Sequence, residues 1–253
     1  MINMFKAELY RLTKTKGFYL FWFLAAFIYT LTVVYHAPGG ISFSAFLEFS
    51  DSLKMDIQQV ALNTNYYLLL IIPTFCIICG EFSEHTVKNT ITSAISKKKY
   101  YIMKSLFTML YSLTAFITVN YLFYFVNRAV NGSKYSSAFG AFSKAMLGQL
   151  PLFTAIVSLF IFIAFTLKKG AALNAITMIT PLAFSLLMMM LIEIEQTRKV
   201  AEKIMRYEIS TMIGKLALDC SDSYRAKCYI ICAAVTIVSL VGGYLIFEKH
   251  ELE

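Results

Sequence analysis

The sequence predicts an all-α integral membrane protein with six transmembrane helices. Three observations carry that prediction. Of 253 residues, 58% are hydrophobic and only 15% are charged, whereas soluble domains are about 45–50% apolar and about 25% charged; the mean hydropathy is +0.64. The apolar excess falls in long runs, six of which match or approach the roughly 20 residues a helix needs to cross the hydrocarbon. Those runs do not alternate apolar and polar residues, as the strands of a membrane barrel would. One domain covering residues 1–253 is expected, since no repeat or linker divides the chain.

Residues 2–14 open the chain. Ile2, Phe5, Leu9 and Leu12 fall at helical spacing on one face, with Lys6, Arg11 and Lys14 on the polar side. Such a basic amphipathic helix is suited to lying in the membrane interface; the plainer alternative is a basic tail. The first span is expected at about 17–37. It carries Trp22 and no small-residue cleavage site, so it reads as a retained span. The others are expected at about 62–80, 105–126, 150–167, 171–192 and 228–247. Pro73, Pro151 and Pro181 mark the second, fourth and fifth; membrane helices tolerate proline because neighbouring groups re-satisfy the freed carbonyls.

Orientation follows from lysine and arginine. With the amino terminus inside, the segments on the cytosolic side hold twelve of these residues and the first two outside loops hold four. Both termini are therefore expected in the cytosol of a multi-pass cell-membrane protein. The segment 193–227 goes against the pattern with seven. In it Ala201, Ile204, Met205, Glu208, Met212 and Leu216 share one helical face, which fits a helix packed on the bundle; a solvated, charge-laced helix fits equally. The formal net charge of +8 points to anionic lipid headgroups. Nucleic acid is not expected, because the lysines sit beside spans.

The absences exclude several classes. No GxxxxGK[ST] phosphate loop occurs, so no ATPase of that kind resides in the chain, and no HExxH occurs. His36, His85 and His250 are far apart in sequence, and no metal site is expected. The expected spans carry no Asp, Glu, Lys or Arg in their cores, with Glu81 and Glu193 at span ends. A self-powered carrier usually places ionisable or broken-helix sites there. Asn120 and Asn174 are read as helix-to-helix hydrogen bonders. Cys76 and Cys79 form a CxxC inside an apolar run, where packing is the usual role. Cys220 and Cys228 have the option of pairing, but free thiols are expected.

One short stretch interrupts the apolar pattern, "EFSEHTVKNTITSAISKKKYY", residues 81–101. Val87, Ile91 and Ile95 lie four apart on one face of a short helix. Ser96 breaks it. Lys97, Lys98 and Lys99 follow, then Tyr100 and Tyr101 where interfacial aromatics belong, then Lys104. A plain connecting helix with snorkelling lysines has the same composition.

The order of these parts resembles the first cytosolic loop of the permease subunits of type-two ABC exporters. In that family an acidic residue ends the second span, a "G-T-x-K-N" helix follows, and "S-R/K" and a lysine open the third span. The matching residues here are Glu81, "HTVKN" at 85–89, "ISKKK" at 95–99 and Lys104. His85 replaces the family glycine, and Ala94-Ile95-Ser96-Lys97 stands for the usual "P-I-S-R". The architecture agrees over the whole chain, while the specific residues cover about 81–104.

The resemblance implies an elbow helix at 2–14 and a coupling helix between spans two and three. It makes Glu81, Val87, Lys88, Ile91 and Ile95 the residues that couple to a separate ATP-binding subunit, present in two copies. That partner would bind ATP and Mg; this chain would hold no cofactor and no catalytic set. A second permease copy, identical or related, would complete the exporter. Among short permeases without a large external domain, the resemblance is to exporters of amphipathic peptides, including bacteriocin and lantibiotic immunity permeases. Two other classes remain open at this stage: a membrane immunity or assembly factor that sequesters a peptide toxin without ATP, and a membrane enzyme with an unrecognised site.

Overall fold

The structure, a computed structural model, describes residues 2–36, 71–83, 87, 90–91, 95–132, 138–217 and 221–249. All elements among them are helical, with no strand. They are α1 (Ile2–Lys14), α2 (Lys16–His36), α3 (Ile71–Ser83), α4 (Lys97–Asn131), α5 (Phe139–Leu167), α6 (Gly170–Glu193), α7 (Glu195–Met205), α8 (Ile209–Ala217) and α9 (Asp222–Lys249). Among the described residues, three helices are long and apolar enough to cross a membrane: Lys97–Val130, Phe139–Leu167 and Asp222–Lys249. The stretches Lys16–Phe27 and Ile71–Ser83 are apolar but shorter among the described residues. The first part of the expected second span, and the expected outer loop 42–63, lie outside them.

Helix α5 is the axis of the bundle. It is apolar nearly all round, as a helix enclosed by others must be. Helix α9 packs along it over the most extensive contact in the molecule, and α4, α6 and α8 pack on its other sides. Helix α4 shows how one helix divides its faces. Phe107, Phe116 and Phe123 are buried, while Ile102, Leu106, Leu110, Leu122, Val126 and Val130 form exposed lines at four-residue spacing. A solvated helix would carry polar residues there; an exposed apolar stripe suits lipid.

Several boundaries differ from the sequence expectation. The third span begins eight residues earlier than 105, because Ser96 caps α4: its hydroxyl accepts the Lys99 amide at 3.3 Å. The fourth begins eleven residues before 150. Pro151 sits inside α5 without ending it, so the proline is an interior residue and not a start signal. Between α5 and α6 the chain reverses in two residues. Lys168 adopts a left-handed conformation (φ 57°) and its amide bonds the Ala164 carbonyl at 2.9 Å. Gly170 then opens α6 against the Phe75 ring, where a Cβ would lie 2.2 Å from a ring carbon.

The segment 193–227 splits between its two readings. Helix α7 is mostly exposed and laced by an Arg198–Glu202 pair at 2.9 Å. The chain turns at 206–208, and the Glu208 carboxylate accepts the Thr211 amide at 3.1 Å at the start of α8. Helix α8 buries Met212, Ile213 and Leu216 against α5. The single apolar face drawn through 201–216 is thus cut by a turn: its first half buries Ala201 alone, and its second half packs through Met212 and Leu216. Cys76, Cys79, Cys228 and Cys232 are free thiols, with Cys228 buried; Cys220 lies outside the described residues.

Candidate functional site

The described residues that flank the lysine-tipped stretch, Glu81 on one side and Tyr100 and Lys104 on the other, meet in a buried charged cluster. Glu81, in the last turn of α3, is 4% exposed; Lys104, in the second turn of α4, is 0% exposed. The Lys104 ammonium lies 2.8 Å from Glu81 Oε1 and 2.7 Å from Glu8 Oε2. Arg11 pairs with Glu81 through Nη1 and with Glu8 through Nη2, the latter at 3.0 Å. Tyr100 donates its hydroxyl to Glu81 Oε2, and its ring faces the Lys104 ammonium at 5.7 Å. Among the described residues two cations meet two anions, so their charges balance. A buried charge without such partners would be strongly unfavourable.

Each member is positioned for a local reason. Helix α1 turns Phe5, Glu8 and Leu12 inward at i, i+3, i+7, with Phe5 against Phe107 at 5.5 Å and edge-on. The apolar face expected from Phe5, Leu9 and Leu12 is therefore rotated. Leu9 is 52% exposed, because the ionic contact of Glu8 outweighs burial of one leucine. Helix α3 widens into a π-helical turn at Phe75–Cys79, where the Gly80 amide bonds Phe75 O. Such turns loosen the carbonyl ladder, and the Ile77 carbonyl accepts Arg11 Nη2 at 3.1 Å. Lys104 reaches the cluster from α4, one turn beyond Tyr100.

An aromatic layer seals the cluster from the bundle core. Phe82, Tyr100, Tyr101, Phe165 and Phe247 bring together α3, α4, α5 and α9, with Tyr101–Phe165 at 4.6 Å and Phe165–Phe247 at 5.1 Å. Rings at these separations favour offset and edge-on contacts. Tyr101 donates to Leu240 O at 2.7 Å, above Gly243, where a Cβ would come within 2.6 Å of its hydroxyl.

The expected site residues differ in placement. Glu81 joins the ionic cluster. Val87 is buried, while Ile91 and Ile95 are half-buried against the core; the face drawn through all three is turned toward the chain at Val87. Tyr100 and Tyr101 are buried, with their hydroxyls bonded to the Glu81 carboxylate and to the Leu240 carbonyl. Lys98 and Lys99 are exposed, and Lys97 is half-buried with its ammonium 3.3 Å from Glu248 O. Lys88 lies outside the described residues. Asn120 donates to Phe116 O of its own helix at 2.8 Å, and Asn174 is exposed.

Sequence reasoning missed Glu8, Arg11 and Lys104 as partners of Glu81. The signals were an acid set three residues before an arginine in an otherwise basic helix, and a lysine one turn inside an apolar run.

Among the described residues no cluster of three His, Cys, Asp or Glu could hold a metal. The stretch 84–96 enters at Glu81 and leaves at Tyr100 and Lys104. Those two feet are bonded to each other and to α1, so the stretch and the amphipathic helix share one ionic joint. No protein-family model matches this chain, and no curated protein matches it.

Proposed function

We propose that the chain is the transmembrane subunit of an ATP-driven exporter of the type-two ABC kind, moving amphipathic peptides or similar amphiphiles out of a bacterial cell. In this reading residues 1–253 form one permease domain with six spans and both termini in the cytosol. Helix α1 is the elbow helix, and 84–96 holds the coupling helix. Two copies of an ATP-binding subunit supply ATP and Mg, and a second permease copy completes the pathway.

The observation that carries the reading is the ionic joint. A coupling element must pass a push from a partner to the spans without folding away beneath it. Glu81, Tyr100 and Lys104 lock the two ends of the stretch together, and Glu8 with Arg11 extends the lock to α1. Charge-assisted contacts of this kind are short and directional, which suits a rigid lever. The basic end also collects Lys97, Lys98, Lys99, Lys168 and Lys169, in keeping with a cytosolic face. Since Val87 is turned inward, Ile91 and Ile95 are the aliphatic residues left to meet the partner.

Copurification tests this. The intact chain should retain a Walker-containing subunit whose ATP hydrolysis rises with an amphipathic peptide. Ile91→Asp sets a carboxylate in the closed contact. It should weaken association roughly a hundredfold, on the order of 3 kcal/mol, while the chain still accumulates in the membrane. Peptide resistance that survives inactivation of the partner's Walker lysine would instead favour the sequestering factor.

A further inference from the structure

We propose that the chain binds one anionic phospholipid at a specific groove between α4 and α9, with an acyl chain in the groove and the phosphate at Lys98. The groove has a volume of about 320 Å³, at the low end of ligand pockets, which span about 300–1,000 Å³. Its walls include Ile102, Leu106 and Met109 on one side and Leu240 and Val241 on the other. Ile102, Leu106 and Val241 are exposed on the outer surface of two helices long and apolar enough to cross a membrane. The groove therefore opens toward the surface that suits lipid and away from the bundle axis.

Charge decides which lipid. The groove lining is apolar, so Lys98 contributes its stem at the end where α4 begins and carries its ammonium beyond that lining; no ion pair among the described residues involves it, and the carboxylate near this end is that of Glu248, held by the Tyr244 hydroxyl at 2.7 Å. Lys99 is exposed beside it. An ammonium at the mouth of an apolar slot complements a phosphate attached to a hydrocarbon chain. A zwitterionic headgroup would set its own cation against the same lysines. A peptide is less well matched, because the slot walls turn no backbone partner toward an occupant. The site is also anchored. Tyr101 lines it, and its hydroxyl is fixed to the Leu240 carbonyl across the two helices at 2.7 Å, so the walls keep their spacing whether or not lipid is bound.

The inference rests on the membrane reading but needs no ATPase partner. The test uses the full chain in mild detergent, titrated with phosphatidylglycerol or with phosphatidylcholine of the same acyl chains, bound lipid being counted by native mass spectrometry. Wild type should retain one phosphatidylglycerol more tightly than phosphatidylcholine. Lys98→Gln should weaken it about fivefold, the effect of one lysine near an anionic surface. Val241→Trp fills the slot from an exposed position and should abolish the tight lipid with no change in thermal melting of the lipid-free protein. Glycerol phosphate should not compete, since the chain supplies much of the binding. Equal retention of the two lipids, or unchanged binding in both variants, overturns the proposal. Failure of the wild-type chain to enter vesicles at all would instead overturn the membrane reading.

Discussion

The two ends of the bundle are fastened by different chemistry. At the basic end, α1, α3 and α4 meet through buried charges, with Lys104 between Glu8 and Glu81 at 2.7 and 2.8 Å. At the far end the contacts are neutral or local. Gln149 donates to Ile213 O at 2.6 Å, Tyr229 donates to Gly148 O at 2.8 Å, and Arg128 donates to Tyr124 of its own helix at 2.8 Å. Neutral bonds stabilise a single packing. A balanced ionic cluster makes loss of any one member expensive. That difference teaches where the bundle is most sensitive to a single substitution: at the end where α1, α3 and α4 are held by charged partners.

Removing one charge should break the comparison most strongly. Lys104→Met removes one of the two described cations that face the buried Glu8 and Glu81. The expected loss is about 3–5 kcal/mol, read as equilibrium unfolding in detergent micelles. Adding Glu8→Gln restores one cation to one anion and should recover part of that loss. A single-variant cost no larger than that of a surface pair would show the cluster to be solvated.

The far end should respond less. Gln149→Leu deletes a buried neutral hydrogen bond to the Ile213 carbonyl, for about 0.5–1.5 kcal/mol. Hydrogen exchange should rise over 209–217 and stay unchanged at 97–104. A change that spreads to the basic end would mean that the two ends are not independent. The smallest effect belongs to α7. Arg198→Ala removes an exposed i,i+4 pair, and about 0.3–0.5 kcal/mol is expected. A larger loss would mean that α7 packs on something beyond the described residues.

Much of this molecule can be read from local pattern. Helix class, a basic amphipathic start, the break at Ser96 and the reversal at Lys168–Lys169 each depend on residues within a turn or two of one another. Apolar run length and capping chemistry operate at that range. The limits of runs were less legible: Pro151 marks a helix boundary in many contexts, but α5 continues through it because packing against α4 and α9 outweighs one lost backbone bond.

The candidate site lay mostly beyond that range. Glu81 drew attention as an acid at the end of an apolar run, yet its partners come from positions 8, 11, 100 and 104. The pairing with Arg11 spans 70 residues. Periodicity reports which face of a helix is apolar, not which charge will meet it. So Leu9 read as inward, yet it is exposed and Glu8 is buried. What the sequence determined by itself was a greasy, basic, helical chain with one polar stretch, because hydropathy and charge add residue by residue. Only the tertiary structure decided that Glu8, Arg11, Glu81, Tyr100 and Lys104 form one joint, because a buried charge is tolerated only where folding brings its partners within hydrogen-bond reach.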